Sequence, residues 1–390
     1  MNFKKVLSTI AVASMLVACS GGDTSSEGNT AFKIGISGPL TGDNAVYGKA
    51  VENASKLAVE EVNAKGGLQF ELKVEDDVSD PEKSPTAYGT LKDWGMQIGM
   101  GTVTSGAGAA VSQNYVDDET FALTPSSSSP TVIYRDADYT DAFGYVYQMC
   151  FTDPNQGVAS ADYLKNHAEI GTKVAVIYKS DDNYSTGIYQ KFMQEAKKVG
   201  INVVSETSFD TSSATDFNVQ LKDAQSKGAD VVFLPIYYQP ASLILTQADK
   251  LGYKPTFFGV DGMDGILTMK GFDTKLAEGV YLLTPFSADA EDELTANFVK
   301  NYKEKYGETP NQFAADAYDC IYAIYAALEN GKATPDMSNS ELAEILKEQF
   351  TTMTFNGVTG TNVTWSKNGE VSKNPKAVVI KDGVYVGVED

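Results

Sequence analysis

Histidine is nearly missing: His167 is the only one in 390 residues. A His-x-x-x-His metal pair is therefore impossible, and imidazole activation of a nucleophile has a single candidate. His167 lies beside Lys165 and Glu169 at the end of a helical stretch and reads as a solvated cap. No Gly-x-Ser-x-Gly elbow surrounds Ser37, Ser105 or the serine run at 126–129. Cysteine is scarce, with Cys19, Cys150 and Cys320 the full set. The last two can pair in an exported chain or stay as buried thiols. Positive charge is in deficit, with 31 Lys and Arg against 52 Asp and Glu and a net charge of −21. Such a surface repels nucleic acid and anionic membrane faces. The acid is dispersed without a long like-charge block, so it serves solubility. The amino-terminal apolar run, Val6–Val17, is too short to span a bilayer. Gly42–Ala50 fails as a phosphate loop: five residues separate the glycines where four are needed, and Ala50 replaces the magnesium-holding Ser or Thr. Asp181-Asp182-Asn183 and Asp261–Asp264 lack calcium-loop spacing, and Asp76-Asp77 reads as a solvated turn. No cofactor, metal site or catalytic residue is expected.

What is present begins with an export signal. Lys4-Lys5, the apolar run and Leu16-Val17-Ala18-Cys19 follow in the order of a secretory signal. The pattern resembles a bacterial lipoprotein signal, which implies cleavage after residue 18 and lipid on Cys19. Residues 1–18 are then the signal and 19–31 a flexible lipidated tether. The expected location is outside the cytoplasm, held to the membrane by lipid alone.

About 360 residues remain, enough for two cores. Strand-like and helix-like segments alternate throughout, which predicts α/β architecture with parallel sheets covered on both faces. FKIGIS at 32–37 is a strand, followed by a long turn and a helix over 48–65 with Val51, Ala54, Ser55, Ala58 and Val62 on one face. Gly66-Gly67 stops it, and a strand follows at 70–74. The rhythm restarts at KVAVIY, 173–178, with a polar turn, a helix at 188–199, a stop at Gly200 and a strand at 201–206. This reads as two similar α/β domains. Later helices are expected at 214–227, 240–251, 291–306, 313–330 and 340–349, and closing strands at 377–380 and 384–388.

Gly101–Pro130, GTVTSGAGAAVSQNYVDDETFALTPSSSSP, holds two consecutive strand-to-helix turns, one at Thr104-Ser105-Gly106 and one at Pro125–Ser129. Each sets hydroxyls and free amides side by side at a helix start, which suits an anion. No basic side chain is present, so the expected anion is a small carboxylate. The competing reading is a flexible serine linker.

From about Phe32 to the C-terminus the chain resembles the periplasmic leucine/isoleucine/valine-binding proteins, the type I substrate-binding components of amino-acid ABC transporters. The most specific piece is IGISGPLTGDNAVYGKAVENASKLAVEEVNAKGG at 34–67. Further matches are the Ser105 turn, Thr124-Pro125 through Pro130, FTDPNQG at 151–157 and FFGVDG at 257–262. The resemblance implies a type I periplasmic-binding-protein fold. One lobe spans 32–149 and 286–354, the other 150–285 and 355–390, with three hinge crossings near Cys150, Pro285 and Phe355. It further implies that Ser105, Ser126 and Ser128 hold a carboxylate and that Asp261 holds an α-ammonium. Tyr47, Tyr184 and Tyr238 wall the pocket, with Tyr237 an equal candidate by composition and Phe286 and Trp94 further ones. Ser126-x-Ser128 stands where the family often has Ala-x-Thr, and Asp261 where branched-chain binders often carry Glu. The implied protein is a monomer and no enzyme. It captures a branched-chain or other apolar amino acid by hinge closure and hands it to ABC permease subunits. A ligand-sensing module, or a binder of an amide, urea-like compound or aromatic acid, is the alternative.

Overall fold

Residues 29–388 are described, from a computed structural model. The amino-terminal run and Cys19 lie outside the described residues. Phe32–Gly38 (β1) is buried at every position except Lys33, as a central parallel strand covered on both faces must be. Ala45–Ala64 (α1) follows, and the face marked by Val51, Ala54, Ser55, Ala58 and Val62 is buried. Phe70–Asp76 (β2), Ser84–Asp93 (α2), Ile98–Gly99 (β3), Ser105–Asp117 (α3), Ala122–Thr124 (β4) and Val146–Gln148 (β5) complete a five-stranded sheet in the order β2-β1-β3-β4-β5. All its pairings are parallel.

The second sheet repeats the plan. Asp153–Asn166 (α4) leads into Lys173–Lys179 (β6), Asn183–Val199 (α5), Asn202–Phe209 (β7), Asn218–Ser226 (α6), Val231–Leu234 (β8), Tyr238–Lys250 (α7), Thr256–Gly259 (β9) and Tyr281–Thr284 (β10). Their order is β7-β6-β8-β9-β10, the same winding as the first sheet. In α5, Ile188, Phe192 and Ala196 recur every fourth residue and are buried, each large one contributing roughly 2 kcal/mol. Gly200 ends that helix in the left-handed region, at φ 77°. The packing of α4 on α5 depends on Gly157, where a Cβ would sit 2.5 Å from the Ile188 carbonyl oxygen.

Glu293–Tyr306 (α8) and Gln312–Asn330 (α9) return to the first sheet and pack on α1, and Asn339–Thr352 (α10) packs on α9. Helix α9 is buried beyond the single expected face, with Ala315, Asp316, Asp319 and Cys320 also sequestered.

Several expectations need correction. The second serine turn opens only a three-residue 3-10 turn, Pro130–Val132, and no α-helix follows it. The helix expected from Ala214 begins at Asn218, after a 3-10 turn capped by Asp210. Asp77 is buried, not solvated, accepting from the Ser37 hydroxyl at 2.8 Å. Its neighbour Asp76 accepts from the Leu40 amide and Thr41 hydroxyl, which fixes the Gly-Pro-Leu-Thr-Gly turn. Of the two states left open for the cysteines, Cys150 and Cys320 take that of separate buried thiols, which is no correction. The third crossing comes later than Phe355. Phe355–Gly357 (β11) and Gly360–Val363 (β12) form a hairpin that touches α9, and Trp365 Nε1 donates to the Gln148 carbonyl. The chain reaches the second sheet only at Lys376–Lys381 (β13), which pairs antiparallel with β10. A two-residue turn, Asp382-Gly383, both at positive φ, then folds Val384–Gly387 (β14) back on β13.

Candidate functional site

In an open parallel sheet, ligands collect outside the carboxyl ends of the strands where the order reverses. Here two such ends face each other. The turns after β1, β3 and β4 lie on one side, and those after β6, β8 and β9 on the other.

The serine run is a rigid wall, not a linker; all four serines are buried. Ser126 Oγ donates to the Val103 carbonyl at 2.7 Å. Ser127 Oγ lies 2.8 Å from the Thr102 carbonyl and 3.0 Å from that of Thr104. Gln148 Nε2 donates to the Ser127 carbonyl at 2.7 Å. Ser105, the first residue of α3, accepts from the Ser129 amide at 3.1 Å. The hydroxyl of Ser128 is left buried with no partner, and so is that of Thr104. Nor does the Thr104 side chain cap α3. The start of that helix therefore offers amides and hydroxyls together, a neutral site for negative charge.

Opposite stands Asp261, in the turn after β9 and 2 % exposed. Its Oδ1 accepts from the Tyr184 hydroxyl at 2.5 Å and its Oδ2 from Gln156 Nε2 at 3.0 Å. Burial pushes this carboxyl up to about 7, against the lowering effect of the Tyr184 hydrogen bond. Asp153, at the first position of α4, is wholly buried, and neither carboxylate oxygen has a partner. Burial raises it well above the carboxylate range, the nearby Ser128 hydroxyl opposes the rise although too poorly placed to bond, and the Asp261 charge adds to it. Among the described residues no Lys or Arg pairs with either acid. A continuous set of bonds joins the two walls: Ser129 to Ser105, the Asp153 amide to the Ser128 carbonyl at 3.0 Å, and Gln156, one turn along, to Asp261.

The tyrosines divide into two groups. Tyr184 is bonded to Asp261 and to the Gly262 amide at 2.8 Å, and its ring stacks on Tyr237 at 4.8 Å. The Tyr237 hydroxyl is buried without a partner. Tyr47 reaches across from the first lobe; its hydroxyl donates to the Gly262 carbonyl and accepts from the Tyr238 amide at 3.2 Å. Its ring stacks on Phe313 at 4.1 Å. Tyr238 meets Tyr47 edge to face and donates to the Asp43 carbonyl at 2.5 Å. It clamps the two sides together beside the cleft, whereas Tyr237 contributes the unpartnered hydroxyl. Phe286 packs in the core against Phe298. Trp94 ends α2, away from the strand carboxyl ends, under the Lys33 ammonium.

The structure thus gathers Ser105, Ser128, Asp261, Tyr47 and Tyr184 in one buried hydrogen-bonded cluster where the strand ends face each other, with Ser126 bracing the serine turn and Tyr238 at its flank. Sequence reasoning missed Asp153 and Gln156, named Thr104 only as part of its turn, and left Tyr237 level with Tyr238. The signal for the first two was the FTDPNQG segment, whose acid reads as an ordinary helix-start residue.

A model of the periplasmic binding protein family matches residues 31–383. The Leu/Ile/Val-binding protein homolog 3 of Brucella melitensis is 28% identical over 370 residues, spanning 91% of this chain and 93% of that protein. Among solved structures, a leucine binding protein LivK from Thermotoga maritima superposes with a TM-score of 0.80 at 25% identity, covering 92% of this chain and 98% of its own. LivJ from Streptococcus pneumoniae, a branched-chain amino acid transporter substrate binding protein in complex with isoleucine, gives a TM-score of 0.79 at 25% identity, covering 92% and 100%.

Proposed function

Because the chain belongs to the periplasmic binding protein family, we propose that it captures a free amino acid between its two lobes and delivers it to an ABC permease. The observation that carries this reading is the pairing of unlike walls. One offers neutral donors, the other two buried carboxyls without a cation. A zwitterion matches both. Its carboxylate goes to Ser105, Ser128 and the first amides of α3, with Ser126 holding the turn. Its ammonium goes to Asp261 and Asp153, with Tyr184 orienting the former. Tyr47 and Tyr238 tie the lobes over the bound molecule. The names of the relatives favour a ligand of branched-chain size.

Binding proceeds by hinge closure across chain segments 149–152, 285–292 and 364–375. The ligand meets the serine wall first, and the second lobe then brings Asp261. No bond in the ligand is broken. Family membership implies an extracytoplasmic location. Lipid on Cys19 keeps the monomeric protein at the membrane beside its permease. The test is a thermal-shift screen of the purified protein against the free amino acids. A ligand well above its dissociation constant is expected to raise stability by about 3 kcal/mol. A flat response to every amino acid would remove the reading.

A further inference from the structure

The turn that carries Asp261 holds a second buried acid. Asp261–Met263 form a single 3-10 turn, and the Asp264 amide donates back to the Asp261 carbonyl at 2.9 Å. The two acids therefore move as one body, though their side chains meet different lobes. Asp261 bonds within its own lobe, to Tyr184 and Gln156. Asp264 is 4 % exposed and reaches the other lobe: its Oδ2 accepts from the Gln312 amide at 2.8 Å. Gln312 is the first residue of α9, and the leading amides of a helix have no partner inside it. Asn311, the N-cap, turns its side chain to the Ala314 amide at 3.0 Å. The Gln312 amide is capped from the opposite lobe instead. Burial lifts the Asp264 carboxyl to about 6, against the lowering effect of that amide, so at pH 8 a carboxylate meets the positive end of α9.

The rest of the turn is pinned on both sides. Two tyrosines of its own lobe fix it: Tyr184 accepts from the Gly262 amide at 2.8 Å, and Tyr385, in β14, from the Gly265 amide at 3.1 Å. The opposite lobe meets it at the Gly262 carbonyl, which accepts from Tyr47, and at Gly265, where a Cβ would lie 2.8 Å from Val46 Cγ1. These interlobe contacts all run from protein to protein. They give the closed form a population of its own, to which a ligand adds its share. Resting on the hinge closure described above and not on the identity of the ligand, we propose that Asp264 is the latch of that closure. Its carboxylate, seated on the start of α9, holds the lobes together before a ligand arrives. Ligand drawn to Asp261 tightens the same turn and so seats the latch. Loss of this charge-assisted bond is expected to lower the ratio of closed to open protein about tenfold.

The test compares the purified protein with Asp264→Ala at pH 8, with no amino acid added, by small-angle X-ray scattering and by hydrogen exchange resolved to single amides. The Tyr238 amide reports closure without touching Asp264, because its partner is the Tyr47 hydroxyl of the opposite lobe. The Gly262 and Ala314 amides are each bonded inside their own lobe and report the integrity of the turn and of α9. Asp264→Ala is expected to enlarge the radius of gyration and to speed exchange at Tyr238 about tenfold, with Gly262 and Ala314 unchanged. Asp264→Asn keeps an acceptor and loses the charge; it is expected to speed Tyr238 exchange about threefold, and it supplies the comparison if the alanine variant does not fold. Unchanged scattering and Tyr238 exchange would overturn the proposal. Equal acceleration at all three amides would overturn it too, since that marks a damaged turn and not an opened cleft. No amino acid enters the experiment, so either result leaves amino-acid capture to its own screen.

Discussion

Asp261→Asn is expected to weaken amino-acid binding at least 100-fold while making the ligand-free protein more stable above neutral pH. Asparagine keeps the shape and can still accept from Tyr184, and its Nδ2 can donate to Gln156 once that amide turns over to present its unpartnered Oε1, so the charge is the main loss. Truncating one side of a buried charge pair costs about 2–5 kcal/mol, which sets the binding effect. The stability effect has the opposite sign. The Asp261 carboxyl rises from 3.8 to about 7 on burial. A raised acid means that the folded state holds a proton which the unfolded chain has released, so stability falls as pH rises from 3.8 to about 7. Above that window the ionised group costs the ligand-free fold roughly 4 kcal/mol. Asparagine avoids this cost, so its advantage should be absent at pH 4 and full at pH 8. The same window acts on the ligand: an ammonium favours ionised Asp261, and affinity should decline as pH falls below 7. Urea unfolding and calorimetric titration at pH 5 and pH 8 check both halves. A variant that binds normally, or one that is less stable at pH 8, would contradict the assignment.

Lys373→Met is expected to lower stability by about 3–5 kcal/mol at pH 8, the largest folding effect of any single change considered. Lys373 and Asp316 are each 1 % exposed in their side chains and 2.6 Å apart. Lys373 also donates to the Thr359 hydroxyl, which donates to Asp319; that carboxylate in turn accepts the Val358 and Thr359 amides at 2.9 Å each. The lysine lies just before β13, so this cluster fastens the last crossing segment to α9. Removing one member of a buried pair strands the other, and that penalty exceeds what the intact pair contributes. Asp316 already sits at about 6, raised by burial and restrained by Lys373. Without the lysine it can escape by protonation, so the loss should be smaller at pH 5 than at pH 8. The double change Lys373→Met, Asp316→Leu should recover most of the stability, as read from the urea midpoint. No recovery would mean that the cluster matters for shape, not charge.

The parts of this molecule legible in the sequence are those encoded locally. The strand-turn-helix opening at 32–64 is one, because its apolar spacing, its turn residues and its glycine stop agree within a short stretch. Gly48 shows why the Tyr-Gly pair belongs there: a Cβ would lie 2.1 Å from the Pro39 carbonyl oxygen. The serine turn and Asp261 were legible because each follows an apolar run that ends where a ligand belongs. Long-range polar partners were not. Nothing near Lys373 in the chain announces Asp316, 57 residues away. Asp153 looks like any acid at a helix start until the wall of Ser128 and Asp261 closes over it. Tyr237 and Tyr238 are chemically identical neighbours, and only their directions across the cleft separate a clamp from an open hydroxyl. Phe355–Val363 carries no clear strand or helix period, and its packing as a separate two-stranded hairpin could not be read from it.

The two-ended grip on a zwitterion is tested most directly by titrating the purified protein with three molecules of one carbon skeleton: the amino acid giving the largest thermal shift, its deaminated acid, and its decarboxylated amine. Tight binding of the amino acid alone, with each single-ended analogue at least 100-fold weaker, is the expected result. Equal affinity for the deaminated acid would mean that Asp261 and Asp153 meet no ammonium, and the account of the cleft would be wrong.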